Sequence, residues 1–159
     1  TTVNGIGAAI YCLARFPGQW DKLRVNPRLA RAAFEEAIRF ESPVQTFFRT
    51  TTRETDIGEV RLAADQKILL FLSAANRDPR RWENPENYDI TRDVVNKRLG
   101  LGFGVHACVG ARVARLEGVS LLSALARHVR SIELAGEPTV TTNMAVHGHE
   151  TLPLRIAAA

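Results

Sequence analysis

The run Gly102-Phe103-Gly104-Val105-His106-Ala107-Cys108-Val109-Gly110 constrains this chain more than any other stretch of it. A lone cysteine is ordinarily a small buried hydrophobe, but three glycines around Cys108 allow a tight loop whose backbone can approach a flat ligand closely. The pattern after it predicts a helix over Gly110 to His128, with Val113, Leu116, Leu121, Leu125 and Val129 as core positions. Cys108 then sits at a helix N-terminus, where free amides and the helix dipole favour an anionic sulfur. His106, two residues earlier, can donate to an anionic group beside the loop. Zinc fits poorly: it needs about four Cys or His ligands, and the other cysteine, Cys12, lies in an apolar helix and reads as core. A cysteine-protease nucleophile lacks a recognisable partner pattern.

Elsewhere the chain alternates helical and strand-like stretches. Thr1 to Phe16 reads as helix, ending at Pro17-Gly18, and a short segment follows through Leu23. Pro27 suits the first turn of a second helix, in which Leu29, Ala33, Ala37 and Phe40 recur at steps of three and four until Ser42-Pro43. Strands are predicted at Gln45 to Thr50, Ile57 to Leu62 and Lys67 to Leu72, with a turn at Ala64-Asp65. Asn76 to about Leu101 is irregular, with Trp82 and Tyr88 as anchors, and a loop that long in a domain usually has a job. The tail after Gly136 reads as strands with a turn near Gly148; His147 and His149 there suit a solvated hairpin better than a metal site. Helices outnumber strands and the strands cluster, so the class is α+β, mainly α.

Composition narrows the partners. The 159 residues hold 45% hydrophobic and 24% charged side chains, the balance of a soluble globular protein. The net charge of +4, from 21 basic and 17 acidic residues, is scattered, giving no case for nucleic acid or a membrane surface. It suits arginines that serve particular anions, or one face that docks an acidic partner. No apolar run approaches the ~18–20 residues of a membrane span, and two distant cysteines make no disulfide framework, so a cytoplasmic location is expected. The chain opens on Thr1-Thr2-Val3-Asn4 without an initiator Met or a signal-peptide pattern, and its first helix has no N-cap with a loop before it. The expectation is a helix cut in its middle.

The cysteine run resembles the haem-binding loop of the cytochromes P-450, FxxGx[RH]xCxG. Gly104, His106, Cys108 and Gly110 match, while Leu101 stands where the family usually has Phe; Phe103 lies two residues later. In the family that aromatic packs over the sulfur and helps set the iron's potential, so Leu101 changes the tuning but not the ligation. A thiolate ligand pushes electron density toward O–O cleavage, a chemistry for which this family is the standard example. A second motif agrees: Glu36 and Arg39 form ExxR upstream of the loop, against the bland alternative of an ordinary helix-surface pair between Glu35 and Arg39. In the family a third arginine completes the pair. Asn87, in Pro85-Glu86-Asn87-Tyr88, stands in its place, leaving the triad short of an arginine unless Arg92 or a neighbour substitutes.

Other matches are softer. Thr1 corresponds to the threonine that hydrogen-bonds dioxygen and relays protons, against the bland alternative of a helix Thr bonding back to its own carbonyls. Arg49, in Phe47-Phe48-Arg49-Thr50, corresponds to the arginine that meets a haem propionate, and His106 would join it. Gly102 and Phe103 belong to the same cofactor-facing loop. Thr1 to Ala9, Tyr11 to Pro17, Arg39 to Thr52 and Ser73 to Trp82 resemble a bacterial subfamily that oxidises para-substituted benzoates such as 4-methoxybenzoate; Val44 and Phe47 match its substrate contacts.

The resemblance implies that residues 1–159 are the C-terminal part of a single cytochrome P-450 domain whose N-terminal portion is absent, with haem b held by the Cys108 thiolate as metal ligand. It implies monooxygenation of a small aromatic acid by O2, with electrons from a ferredoxin and its reductase, and no activity for these residues alone. Two alternatives stand beside it: a haem-thiolate peroxygenase or non-oxygenating haem enzyme, encouraged by Leu101 and Asn87, and a non-enzymatic helical module with a core cysteine.

Overall fold

In the computed structural model, which describes residues 1–94, 97–141 and 143–159, the fold is organised around the helix carrying the two adjacent glutamates. Label the helices α1 (Thr2–Arg15), α2 (Pro17–Val25), α3 (Ala30–Phe40), α4 (Leu72–Ala75) and α5 (Ala111–His128). The strands are β1 (Thr46–Thr50), β2 (Thr55–Ile57), β3 (Val60–Leu62), β4 (Lys67–Phe71), β5 (Val129–Leu134), β6 (Thr139–Val140), β7 (His149–Thr151) and β8 (Leu154–Ala158). A single 3-10 turn, Pro27–Leu29, feeds α3, and the Asn26 side chain accepts from Arg28 N at its start.

Every residue of α3 from Ala33 to Phe40 is buried, polar ones included. Ala33, Phe34, Ala37, Ile38 and Phe40 join Ala9, Cys12 and Leu13 of α1, Trp20 and Leu23 of α2, and Leu122 and Ala126 of α5 in one apolar cluster. Tyr88 and Ile90 of the long irregular segment close it. Its polar tips find partners: Tyr88 donates to Ala33 O at 3.0 Å and Trp20 Nε1 to Arg130 O at 3.1 Å. That satisfaction is what lets large amphipathic side chains sit in a core without an orphan-donor penalty.

The expected mainly α class holds, and the strands form only two-stranded antiparallel pairs among the described residues: β1 with β4, β2 with β3, β5 with β8, β6 with β7. Four details differ from the sequence expectations. The segment after Pro17 is a full helix. The predicted strand Ile57 to Leu62 is instead a hairpin that turns at Gly58, whose φ of +58° is the left-handed conformation a side chain would resist. Val129, predicted as the end of a helical stripe, opens strand β5.

The fourth difference matters most. Of the predicted core positions of α5, Val113, Leu116 and Leu121 are exposed, and the buried face is Ala111, Ala114, Gly118, Leu122 and Ala126. Small residues face α3 because Phe34 occupies the space: a Cβ on Gly118 would lie 2.4 Å from its ring. Hydropathy selects large apolar residues, whereas a close helix crossing selects small ones. Among the described residues no helix is long and apolar enough to cross a membrane.

Candidate functional site

The Cys108 loop is a wall between two cavities. Cys108 N donates to Leu101 O at 2.9 Å, which closes the loop on itself, and a turn over Gly104–His106 is fixed by Ala107 N on Gly104 O at 3.0 Å. Gly102 makes this possible. Its φ is +71°, and a Cβ there would lie 2.2 Å from His106 O, so no other residue fits without opening the loop. Cys108 O then accepts from Ala111 N at 3.1 Å, setting the sulfur-bearing residue against the first turn of α5. Both cysteines are free thiols, yet they differ: Cys108 is exposed and Cys12 fully buried. Burial, then the charges of Glu41 and Glu36, push the Cys12 thiol well above its ordinary range, which makes it inert.

On one side of the loop lies a cavity of about 460 Å³ that brings together Thr1, Val44, Phe47, Leu101, His106 and Cys108, with Gly102 and Gly110 in its wall. Residues named from three separate stretches of sequence therefore converge. Thr1 caps α1 without a side-chain capping bond, while its carbonyl accepts from Gly5 N at 2.9 Å. Val44 is half-buried and bridges to Val146; Phe47, in β1, is exposed. A neighbouring cavity of about 320 Å³ shares Phe47, Gly102 and His106 and adds Arg49 and Phe103. Arg49 is half-buried, its guanidinium 5.9 Å from the Phe47 ring centroid. Arg49 and His106 put the polar groups at one end of an otherwise apolar cleft.

On the other side of the loop, Arg98, Arg112 and Arg115 share a cavity with Leu101, Phe103, Gly104 and Cys108. Phe103 lines this cavity with Cys108 and remains largely exposed.

Two sets of buried charge hold these walls. Glu36 accepts from Arg39 Nε at 2.7 Å and Nη2 at 2.8 Å. It also accepts from Arg92 Nε at 3.1 Å and Asp89 N at 3.1 Å. The triad is complete: the third arginine is Arg92, not a residue at Asn87, whose carbonyl accepts from Arg39 at 3.1 Å and so needs no particular side chain. Arg39 also donates to Asn76 O and Pro85 O, at 2.9 and 3.0 Å, tying the long irregular segment to α3.

The bland alternative to ExxR, Glu35 as a surface partner of Arg39, does not form, since Arg39 pairs with Glu36. Glu35 is fully buried instead, and it accepts from Arg98 Nε at 2.6 Å and from Arg115 Nε at 2.5 Å. Burial pushes the Arg98 guanidinium down from its ordinary range, with Arg115 adding to the shift and the adjacent Glu35 opposing it. The sequence signal missed was Arg98 directly before the glycine loop and Arg115 on the buried side of α5. His147 and His149 form no metal group among the described residues; His147 Nε2 lies 3.2 Å from Glu41 and His149 stacks on Tyr11 at 4.5 Å.

The donor set fits a flat, mostly apolar cofactor with an acidic edge. A free exposed thiol faces a cleft whose other walls are apolar, the loop carrying it would be closed to any added Cβ at Gly102, and a guanidinium and an imidazole stand together at one end. A soft sulfur ligand also suits iron better than it suits hard cations.

Comparison with known proteins points the same way. A family model described as cytochrome P450 matches residues 1–149. The chain is 56% identical over all 159 residues to cytochrome p450 CYP199A2 of Rhodopseudomonas palustris, covering 38% of that protein. It is 42% identical over 135 residues to the biotin biosynthesis cytochrome P450 of Bacillus subtilis, covering 85% of this chain and 34% of the relative. Among solved structures, CYP108D1 from Novosphingobium aromaticivorans superposes with a TM-score of 0.90 at 39% identity, over 99% of this chain and 38% of its own. The chain thus spans well under half the length of the relatives it matches.

Proposed function

The chain belongs to the cytochrome P450 family, and from that premise we propose that the full-length protein is a haem-thiolate monooxygenase acting on a para-substituted aromatic acid. Residues 1–159 then form part of one such domain. The observation carrying the reading is the convergence of Thr1, Val44, Phe47, His106 and Cys108 on one cavity beside the glycine loop, with Arg49 in the neighbouring cavity that shares Phe47 and His106. The haem, when bound, supplies the activation of O2 that puts one oxygen atom into substrate and the other into water.

Each residue has a task suited to its place. Cys108 provides the sulfur ligand, set by the loop against the first turn of α5. Arg49 and His106 hold carboxylates at the cofactor's acidic edge through charge-assisted hydrogen bonds. Leu101, Gly102, Phe103, Gly104 and Gly110 shape the loop surface on which the cofactor lies. Thr1, whose hydroxyl is not used in capping, donates a hydrogen bond in the dioxygen pocket and passes protons there. Val44 and Phe47 exclude water and orient an aromatic ring. The Glu36–Arg39–Arg92 triad holds the framework and touches no reactant.

The substrate class rests on the likeness of Arg39 to Thr52 and the neighbouring runs to the benzoate-oxidising subfamily. Electrons come from a ferredoxin and its reductase. The non-enzymatic reading falls with family membership, and the peroxygenase alternative loses one support, since Arg92 supplies what Asn87 lacks. The test is turnover of 4-methoxybenzoate by the full-length protein with ferredoxin, reductase and reduced nicotinamide. Formation of 4-hydroxybenzoate and formaldehyde, coupled to O2 uptake, is expected. Absence of both product and a substrate-induced spectral shift across para-substituted benzoates would overturn the substrate assignment.

A further inference from the structure

We propose that Glu35 is a positioning residue for the Cys108 thiolate, acting through Arg98 and Arg115 as a second buried charge cluster distinct from the Glu36 triad. The inference rests on the haem-thiolate reading above. Its starting point is a topological one: Arg98 lies on the segment entering the cysteine loop and Arg115 on the helix leaving it. One carboxylate therefore clamps both ends of the loop. Glu35 Oε2 accepts from Arg98 Nε at 2.6 Å and also from its Nη2, while Oε1 accepts from Arg115 Nε at 2.5 Å.

The surroundings make the clamp stiff. Leu99 N, next to Arg98, donates to the Asn76 side chain at 2.8 Å, and Asn76 in turn donates to Ser42 Oγ at 2.9 Å. Gly100 runs flush along α3, where a Cβ would lie 2.6 Å from an Ile38 methyl. Glu35, Asn76 and Arg98 are all buried, so water does not compete for these bonds.

The cluster also carries charge. One carboxylate against two guanidiniums leaves a net positive group, and Arg98 and Arg115 line the same cavity as Cys108, with Arg112 beside them. Glu35 holds both ends of the loop where they sit. The Glu36 triad does not: its arginines reach the irregular segment, not the loop.

The experiment uses the full-length holoprotein and reads the reduced, carbon-monoxide spectrum, normalised to haem content, in wild type and Glu35→Gln. Gln keeps the shape of the side chain but turns an amide donor toward an arginine donor. A several-fold rise in the share of haem without the long-wavelength thiolate band, with a more positive haem reduction potential, is expected. A merely structural residue would lower the yield of holoprotein and leave the spectrum and potential of the remainder unchanged, and that result would overturn the inference. If Glu35→Gln yields no holoprotein, Arg115→Lys is read the same way: partial loss of the band supports the clamp and an unaltered band overturns it. A wild-type protein lacking the thiolate band would instead sink the haem-thiolate reading on which the clamp depends.

Discussion

Helix α3 and the Cys108 loop spend their side chains in opposite ways. Along α3, three charged residues, Glu35, Glu36 and Arg39, are fully buried, and each is matched by hydrogen bonds. Along the loop, Val105 is 97% and Val109 102% exposed, with Phe103 and the Cys108 thiol exposed beside them. Charge inside and apolar groups outside are each costly in an ordinary domain. The buried charges fix geometry, whereas Phe103, Cys108 and Val109 line a cavity beside the loop. The two regions need each other, because an open loop keeps its shape only against a rigid support.

The largest test of this contrast removes charge from the rigid side. Glu36→Ala would leave Arg39 buried and unpaired and should cost about 3–5 kcal/mol of unfolding free energy, measured by denaturant titration of the full-length protein. Val105→Thr in the loop should change stability by less than about 0.5 kcal/mol. Equal losses from the two substitutions would break the comparison.

A second test probes the close crossing of α3 and α5. Gly118→Ala places a methyl within 2.4 Å of Phe34 and should destabilise by about 1–3 kcal/mol through overpacking. Pairing it with Phe34→Leu should recover part of the loss, as a double-mutant cycle would reveal.

Much of this was legible in the sequence, and the gaps have physical reasons. The loop could be read because glycine at fixed spacing around a cysteine reports backbone constraint directly. The exit face of α5 could not, because Ala114 and Gly118 look like surface residues until Phe34 is placed against them. Nor could Glu35: next to Glu36 and outside the apolar stripe of Leu29, Ala33, Ala37 and Phe40, it resembles a solvent-facing residue. Its partners, Arg98 and Arg115, are 63 and 80 positions away. Arg92 was recoverable only as one candidate among neighbours, since nothing local says which arginine folds back onto Glu36. Convergence of Thr1 with Cys108 was implied by family likeness alone and became geometry only when α1 was seen to roof the loop's cavity.

The two cysteines sharpen the comparison further. In haem-free protein, Cys108 should react with a thiol reagent within the mixing time of a native sample, while Cys12 should stay silent until unfolding. Equal native reactivity would mean that α1 does not seal Cys12 as the structure has it.

The smallest expected effect is at His149. Burial holds its imidazole below the ordinary 6.5, with Glu41 opposing and His147 adding to the shift. A depressed histidine favours the neutral form when folded, so its contribution is fully present above pH 6.5 and is lost as pH falls through its folded value. His149→Phe, which keeps a ring on Tyr11, should flatten that part of the pH–stability curve; an unchanged slope below pH 6.5 would assign it to other groups.

The central claim is that an exposed thiol on this loop is an iron ligand. The most direct measurement is the reduced, carbon-monoxide spectrum of the full-length protein beside its Cys108→Ser and Cys12→Ser variants. The wild type and Cys12→Ser should display the long-wavelength Soret band of a thiolate haem, and Cys108→Ser should lack it. Persistence of the band in Cys108→Ser would contradict the assignment.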